Sequence, residues 1–231
     1  MATHVLEFVS AFSCHHAYHT PYKRRNYPSL PHTSSHTHSE RKRELETEAE
    51  MEEVVVIVGA GSAGLATSAC LNHLSISNIV LEKEDCCGSL WKKRTYDRLN
   101  LHLYKKFCSL PFKPHPPKSP AFMSKAAFIQ YLDDYASSFN ISPWYCRSVE
   151  SAVFVEGDQK WHIEAKNTMS GEMEVYVSNF LVIATAENGE GYVPSLPGLY
   201  SFGGEVLHSS NYKSAMGYEA KEVLVVGCGN S

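Results

Sequence analysis

Continuous hydrophobic runs mark four places along this chain. Such runs predict strands that are buried on both faces of a parallel sheet, because neither face of the strand carries a polar row. The runs lie at Val54–Val58, Asn78–Glu82, Phe180–Thr185 and Glu222–Val226. Between the first two runs, residues Ala63–Leu74 have the spacing of a helix. Strand, helix and strand therefore predict one βαβ unit.

A different pattern, in which apolar and polar residues alternate, fills the middle of the chain. It covers Val149–Val155, Trp161–Ala165 and Glu174–Val177, with the turn pairs Gly157-Asp158 and Ser170-Gly171 between these segments. Alternation broken by such turns predicts an antiparallel meander. The meander and the continuous runs together favour an α/β fold.

The region between the βαβ unit and the meander predicts a loop followed by a helix. Five prolines between Pro111 and Pro120 exclude regular helix from the segment 86–120, so we expect a long, structured loop there. Ser124 fits the N-cap of the next helix, and apolar residues at helical spacing extend that helix to about Asn140.

The first 50 residues differ from the rest in composition. Seven of the twelve histidines lie there among Ser, Thr and Pro, and no apolar period runs through them. We expect a disordered tail without a metal site. A transit peptide is the alternative, because Glu7 is the single acidic residue among the first 39. The predicted domains are thus the tail at 1–50, a first domain at 51–221 and the start of a second at 222–231.

Overall composition excludes several classes of protein. The 231 residues are 43% hydrophobic and 20% charged, which is typical of a globular protein. A net charge of -4 argues against nucleic acid as a partner. No apolar run approaches the roughly 20 residues of a membrane span. Seven cysteines without a zinc-site or disulfide spacing indicate reduced thiols.

A glycine-rich turn follows the first strand and opens the helix. Its residues are Gly59, Ala60, Gly61, Ser62, Ala63 and Gly64, which fit GxGxxG. The three glycines serve a tight turn, close approach of a pyrophosphate, and packing of helix on strand. Glu82 ends the second strand about 20 residues later, where an acid accepts ribose hydroxyls. This combination predicts a Rossmann-type dinucleotide site.

The same strand-to-glycine pattern returns at the end of the chain, in VLVVGCGNS. Gly227, Gly229 and Ser231 belong to this second, partial loop. Two such loops, separated by a meander and a buried strand, are the arrangement of flavoproteins in which a nicotinamide-binding Rossmann domain is inserted into an FAD-binding one. In those proteins the first loop holds FAD and the second holds NADPH.

The segment SFGGEVLHSSNY between the two loops carries a further motif, formed by Phe202, Gly204, His208 and Tyr212. These residues match the fingerprint FxGxxxHxxxY/F, and the chain resembles the class B flavin-dependent monooxygenases. From about Met51 to its end it resembles their plant YUCCA-type branch. The segments that carry this resemblance are LEKEDCCGSLWKKRTYDRLNLHL, KKFCSLPFKP, FIQYLDDYASSFNISP and VLVVGCGNS.

The resemblance implies a reaction and its cofactors. It implies NADPH- and O2-dependent conversion of a 2-keto acid, indole-3-pyruvate, to indole-3-acetate, with FAD as the flavin. It places Leu90 and Trp91, in the loop Gly88–Trp91, and His102 near the flavin. No side chain of this chain is identified as catalytic, because the family needs no Ser, His or carboxylate nucleophile. The expected location is the cytoplasm, or a plastid if residues 1–50 are a transit peptide.

Two departures from the family pattern leave other interpretations open. Ala186 stands where the family has glycine, and the sequence stops inside the second loop, so we expect a truncated monooxygenase. One alternative is an inactive FAD-binding fragment. Another is a different two-dinucleotide flavoprotein oxidoreductase, such as a disulfide reductase. That enzyme needs a redox cysteine pair, for which the adjacent Cys86 and Cys87 have poor geometry.

Overall fold

A mixed β-sheet forms the centre of the computed structural model, which describes residues 5–7, 51–186 and 191–227. Its strands are β1 (Val5–Glu7), β2 (Met51–Val58), β3 (Asn78–Glu82), β4 (Trp144–Tyr145), β5 (Arg147–Val155), β6 (Lys160–Asn167) and β7 (Met173–Ile183). They lie in the order β4-β3-β2-β7-β6-β5, and β1 also pairs with β7. Strands β2, β3, β4 and β7 run parallel, whereas β5, β6 and β7 form the predicted antiparallel meander.

In the described part of the chain, three α-helices accompany the sheet. They are α1 (Ser62–His73), α2 (Ser89–Lys93) and α3 (Lys125–Ser138), with short 3-10 helices at Lys105–Phe107, Leu199–Ser201 and Ser209–Asn211. The predicted N-cap is confirmed, because the Ser124 hydroxyl accepts a hydrogen bond from the Ala127 amide at 3.3 Å. Among the described residues, no helix is both long and apolar enough to cross a bilayer.

Helix α2 corrects the expectation that segment 86–120 contains no regular helix. This helix ends at Lys93, well before the first of the five prolines. Proline prevents helix formation only at and just before its own position, so the prolines act on the later part of the loop.

Strand β7 corrects a second expectation, because one continuous strand replaces the two that the sequence predicts. Residues 173–178 pair antiparallel with β6, and residues 176–178 and 180–183 pair parallel with β2. The apparent break is Ser178, which is buried and pairs with both neighbours. Its hydroxyl donates to the carbonyl of Phe180 at 3.0 Å, so a polar side chain is satisfied inside the sheet.

The core lies on both faces of the sheet. On one face, a single buried cluster joins β2, α1 and α3, and it includes Val55, Ile57, Leu65, Phe128 and Leu132. On the other face, β2 contributes to a second cluster with Val56, Val58, Leu81, Ile163 and Tyr176. Successive residues of β2 therefore alternate between two buried faces, as the continuous apolar run predicts.

The run Glu222–Val226 is not the buried strand that the sequence predicts. Among the described residues it pairs with no strand, and the side chains of Val223–Val226 are between 62% and 88% exposed. An apolar run becomes a buried strand only where neighbouring strands bond to its backbone and helices cover its faces. Residues 222–226 have neither in the described part of the chain.

Strand β1 is the described part of the 1–50 tail. It pairs in parallel with residues Leu181–Ile183 of β7, so these three residues form a strand that the sequence pattern does not indicate. The other residues of the tail lie outside the described ranges, and their disorder stays a prediction.

Candidate dinucleotide site

The turn between β2 and α1 is closed by two of its glycines. Gly59 has a φ of +107°, and a Cβ added there would lie 2.6 Å from the carbonyl oxygen of Ala184. A Cβ on Gly64 would lie 1.9 Å from the carbonyl oxygen of Gly59. Any side chain at either position would push backbone away, so both glycines are required by packing within the protein.

Gly61, the middle glycine, has the opposite surroundings. It is the N-cap of α1, and nothing lies within 4 Å of a Cβ added there. No side chain caps the helix and no acidic residue occupies its first turn. The first amides of α1 and its positive dipole end therefore lie beside a position where an added atom would meet no protein atom, an arrangement that favours an anion. Ser62 and Ala63, the first helical residues, lie where these amides are offered.

Glu82 is buried at the end of β3 and binds the glycine turn directly. One carboxylate oxygen accepts from the Ala60 amide at 2.6 Å, and the other accepts from the Glu84 amide at 3.0 Å. Each carboxylate oxygen can accept more than one hydrogen bond, so capacity for ribose hydroxyls remains. Glu82 thus holds the turn against β3, a structural role that the spacing of the sequence motif does not reveal.

The loop leading into α2 contacts the glycine turn from the other side. The Gly88 amide donates to the Ala60 carbonyl at 2.9 Å. Trp91 packs edge-on against Phe128 of α3, with ring centroids 4.7 Å apart, and Leu90 is half-buried. The structure therefore brings Gly88–Trp91 to the candidate site.

His102 lies farther along the chain and is exposed. Its neighbour Leu101 is buried, with its amide bonded to the Met123 carbonyl at 2.8 Å. This bond fixes the backbone beside His102, and a contact between its imidazole and a flavin stays a prediction.

Ala184, directly after β7, packs against the glycine turn. The Ala184 amide donates to the Val58 carbonyl at 2.8 Å, and the Ala184 carbonyl faces Gly59. Two residues later, Ala186 has a φ of +67°, in the left-handed region. A residue with a Cβ pays about 1–2 kcal/mol there, a cost that glycine avoids. The departure at position 186 therefore carries backbone strain close to the turn.

The four fingerprint residues lie far from the glycine turn in sequence, and their contacts are as follows. His208 accepts from the Ser210 amide at 3.2 Å through Nδ1 and caps the 3-10 helix at Ser209–Asn211. The Tyr212 ring lies 6.2 Å from that of Tyr96. Gly204 leaves room for the exposed ring of Phe202, which would be 2.5 Å from an added Cβ.

A polar cavity of about 330 Å³ lies between the fingerprint segment and the C-terminal end of α2. It is lined by Glu84, Lys93, Arg94, Ser210, Asn211 and Lys213. The Lys213 ammonium donates to the carbonyls of Lys93 and Thr95, which attaches the fingerprint segment to α2. The hydrogen bond from Lys93 holds the pKa of Glu84 below its usual value. Sequence reasoning missed Lys213, since a lone lysine after the motif carries no signal.

The second glycine pattern forms no comparable site in the described residues. Gly227 follows the exposed run Val223–Val226, whereas Gly229 and Ser231 lie outside the described residues. The predicted NADPH contacts of all three stay predictions.

The cysteines beside α2 lack the low thiol pKa that favours a redox pair. Cys86 and Cys87 are both free. Burial, with a hydrogen bond to Asp85, raises the pKa of Cys86 to about 11. Burial and a hydrogen bond to Asp133 also raise the pKa of the Cys87 thiol. Thiols that stay protonated are poor nucleophiles, which argues against disulfide exchange at this place.

Solved structures share this fold. A flavin-containing monooxygenase from Stenotrophomonas maltophilia superposes with a TM-score of 0.64 at 24% identity, covering 74% of this chain and 49% of that protein. A bacillithiol disulfide reductase from Bacillus cereus has a TM-score of 0.52 at 16% identity, covering 58% of this chain and 39% of that protein. These likenesses establish the fold, which a monooxygenase and a disulfide reductase share.

Sequence relatives are closer. The chain is 60% identical over 173 residues to a protein of Arabidopsis thaliana named probable indole-3-pyruvate monooxygenase YUCCA10, covering 75% of this chain and 45% of that relative. It is 51% identical over 174 residues to probable indole-3-pyruvate monooxygenase YUCCA9 from the same plant, covering 75% and 41%. The chain thus spans less than half the length of these relatives.

The model of one protein family matches most of the chain. The match is to the family described as flavin-binding monooxygenase-like, and it covers residues 52–231. The matched span begins at β2 and includes the glycine turn, Glu82 and the fingerprint segment. Together with the identity to the plant relatives, this match shows that the chain belongs to the flavin-binding monooxygenase-like family.

Proposed function

We propose that the turn between β2 and α1 binds FAD. The observation that carries this proposal is the contrast among the three glycines, of which Gly59 and Gly64 are closed by backbone while Gly61 opens to free space. The open position lies at an uncapped helix N-terminus, where a pyrophosphate is stabilised by amides and by the helix dipole.

The residues of this chain would bind and orient the cofactor as follows. Backbone at Gly61 and the first turn of α1 hold the pyrophosphate, and Glu82 accepts a ribose hydroxyl while keeping the Ala60 amide. The loop Gly88–Trp91 approaches from the opposite side. FAD itself supplies the redox and oxygen chemistry when bound.

We further propose that the whole protein converts indole-3-pyruvate to indole-3-acetate with NADPH and O2, releasing carbon dioxide. The support is the 60% identity to a relative named for an indole-3-pyruvate monooxygenase activity. Gly227, Gly229 and Ser231 would begin the NADPH site. Catalysis would take place in the cytoplasm, or in a plastid if residues 1–50 act as a transit peptide.

A second candidate function is an FAD-binding chain that does not complete the reaction. One observation favours it: the apolar run before Gly227 is exposed and unpaired among the described residues. A nicotinamide site needs amides at the N-terminus of a helix that follows a buried strand. Under this second candidate, the chain binds FAD without turnover.

One experiment separates these functions. The purified 231-residue chain is mixed with FAD, NADPH and indole-3-pyruvate, flavin retention is measured after gel filtration, and indole-3-acetate is measured by mass spectrometry. Retained FAD with product well above a no-protein control supports the monooxygenase activity in this chain. Retained FAD without product supports the second candidate. Loss of FAD on gel filtration contradicts the proposed FAD site and the second candidate.

A further inference from the structure

Three polar side chains connect the loop before α2 to the middle of α3. The Cys87 thiol donates to the Asp133 carboxylate at 3.2 Å, and the Lys92 ammonium donates to the same oxygen at 2.7 Å. The ammonium also lies 3.8 Å from the Cys87 sulfur. One carboxylate on α3 therefore holds two residues that are five positions apart.

These two residues bracket the segment Gly88–Trp91. Gly88 bonds to the Ala60 carbonyl on one side, and on the other its Cα faces Leu132, whose Cδ1 would be 2.9 Å from an added Cβ. The segment is thus held between the glycine turn and α3, with Asp133 as the polar attachment. A shift of this segment would also move the Ala60 carbonyl, next to the backbone proposed to hold the pyrophosphate.

The attachment has little weight in global stability. The Asp133 side chain is 41% exposed and that of Lys92 is 24% exposed, so solvent screens their attraction. Ion pairs that are this exposed contribute little to the free energy of folding. The cluster therefore fixes the position of the loop and α2, and it adds little to the free energy of unfolding of the whole protein.

We propose that Asp133 is a positioning residue for FAD, which fixes the segment Gly88–Trp91 through Cys87 and Lys92. The inference rests on the proposed FAD site and extends it to a residue outside the glycine turn. In this proposal Asp133 acts through its contacts with Cys87 and Lys92.

The test compares Asp133→Ala with Asp134→Ala in the 231-residue chain. Asp134 is the matched control, since it lies next on the same helix and its carboxylate bonds to Gln130 at 2.9 Å. Hydrogen exchange of residues 86–94 is measured without flavin, and FAD affinity is measured by quenching of flavin fluorescence. Asp133→Ala loses one or two hydrogen bonds. We therefore expect hydrogen exchange of residues 86–94 to be about fivefold faster and FAD affinity to be about fivefold weaker in this variant.

Two further variants separate the loss of the Asp133 contacts from a general defect in folding. Asp133→Glu retains the charge and should recover most of the protection and affinity. Asp133→Asn retains an acceptor and should show the same changes at smaller size, even if the alanine variant folds poorly. The melting temperatures of the Asp133 variants should match that of Asp134→Ala.

The possible outcomes are distinct. Equal exchange in Asp133→Ala and Asp134→Ala overturns the proposal. Faster exchange with unchanged FAD affinity also overturns it, because the loop would then move without consequence for the cofactor. A parent chain that binds no FAD contradicts the proposed function instead, while the exchange data still decide whether Asp133 fixes the loop.

Discussion

The two glycine patterns of this chain have similar sequences and different structures. The run Val54–Val58 before Gly59 lies between β3 and β7, and four of its five residues are buried. The run Val223–Val226 before Gly227 is unpaired in the described residues and exposed along its length.

The difference lies in the strands, the helix and the side chain that surround the first run. The first pattern has strands on both sides, a helix that follows it, and Glu82 bonded into its turn. An apolar, β-branched run has no strong intrinsic preference for a strand without these neighbours. The backbone of the first glycine motif is therefore held by the surrounding sheet and by Glu82.

The largest expected effect comes from placing a charge in each run. Val56→Asp would put a carboxylate into a fully buried position between two strands, which costs several kcal/mol and is expected to unfold the protein. Val225→Asp changes a side chain that is 78% exposed and should alter stability by less than about 0.5 kcal/mol. Urea unfolding followed by circular dichroism measures both. Equal losses would contradict the comparison.

A smaller effect is expected from the glycine that closes the first turn. Gly64→Ala places a methyl group against the Gly59 carbonyl and should destabilise the protein by about 3 kcal/mol, more than the helix propensity of alanine returns. Gly61→Ala meets open space and serves as the control, with a change below about 1 kcal/mol. Thermal unfolding provides the measurement. Similar melting temperatures would show that the turn is less tightly packed than described.

Removing the strain near the turn should have a stabilising effect. Ala186→Gly relieves a left-handed backbone conformation and is expected to stabilise the protein by about 1 kcal/mol. Ala184→Gly, in a buried residue whose φ is not positive, should instead destabilise it. Differential scanning calorimetry compares the two variants. A lower melting temperature for Ala186→Gly would contradict the strain at this position.

The smallest effect concerns thiol chemistry next to the first turn. The reactive form of a thiol is the thiolate, and burial raises the pKa of Cys86 to about 11. Alkylation of Cys86 by iodoacetamide should therefore be slow at pH 8 and rise steadily toward pH 11.

A related prediction concerns the neighbouring thiol. In Asp133→Asn, loss of the carboxylate lowers the pKa of Cys87, so alkylation of Cys87 should begin at lower pH than in the parent chain. Mass spectrometry of the peptides follows each site, and an unchanged Cys87 profile would contradict the contact.

Sequence patterns identified most of the first unit because its elements depend on local signals. Strand β3 occupies the predicted range Asn78–Glu82, and Ser124 caps α3 as expected. The glycine spacing locates the turn without any structure. These signals lie within a few residues of the elements they determine.

Features that depend on distant residues could not be predicted. Ser178 resembles a break in the pattern, yet strands on both sides incorporate it into β7. The bond from the Ala60 amide to Glu82, and the contacts of Asp133 with Cys87 and Lys92, join segments that only the fold brings together. The pattern of apolar and polar residues does not predict these contacts.

Flavin stoichiometry in three proteins tests the central claim most directly. The parent chain, Gly61→Val and Gly229→Val are each saturated with FAD, freed of excess cofactor by gel filtration, and measured by flavin absorbance per chain. The account predicts one FAD per chain for the parent and for Gly229→Val, and none for Gly61→Val at unchanged melting temperature. Flavin retained by Gly61→Val, or lost from Gly229→Val alone, would contradict the assignment of the cofactor to the first glycine turn.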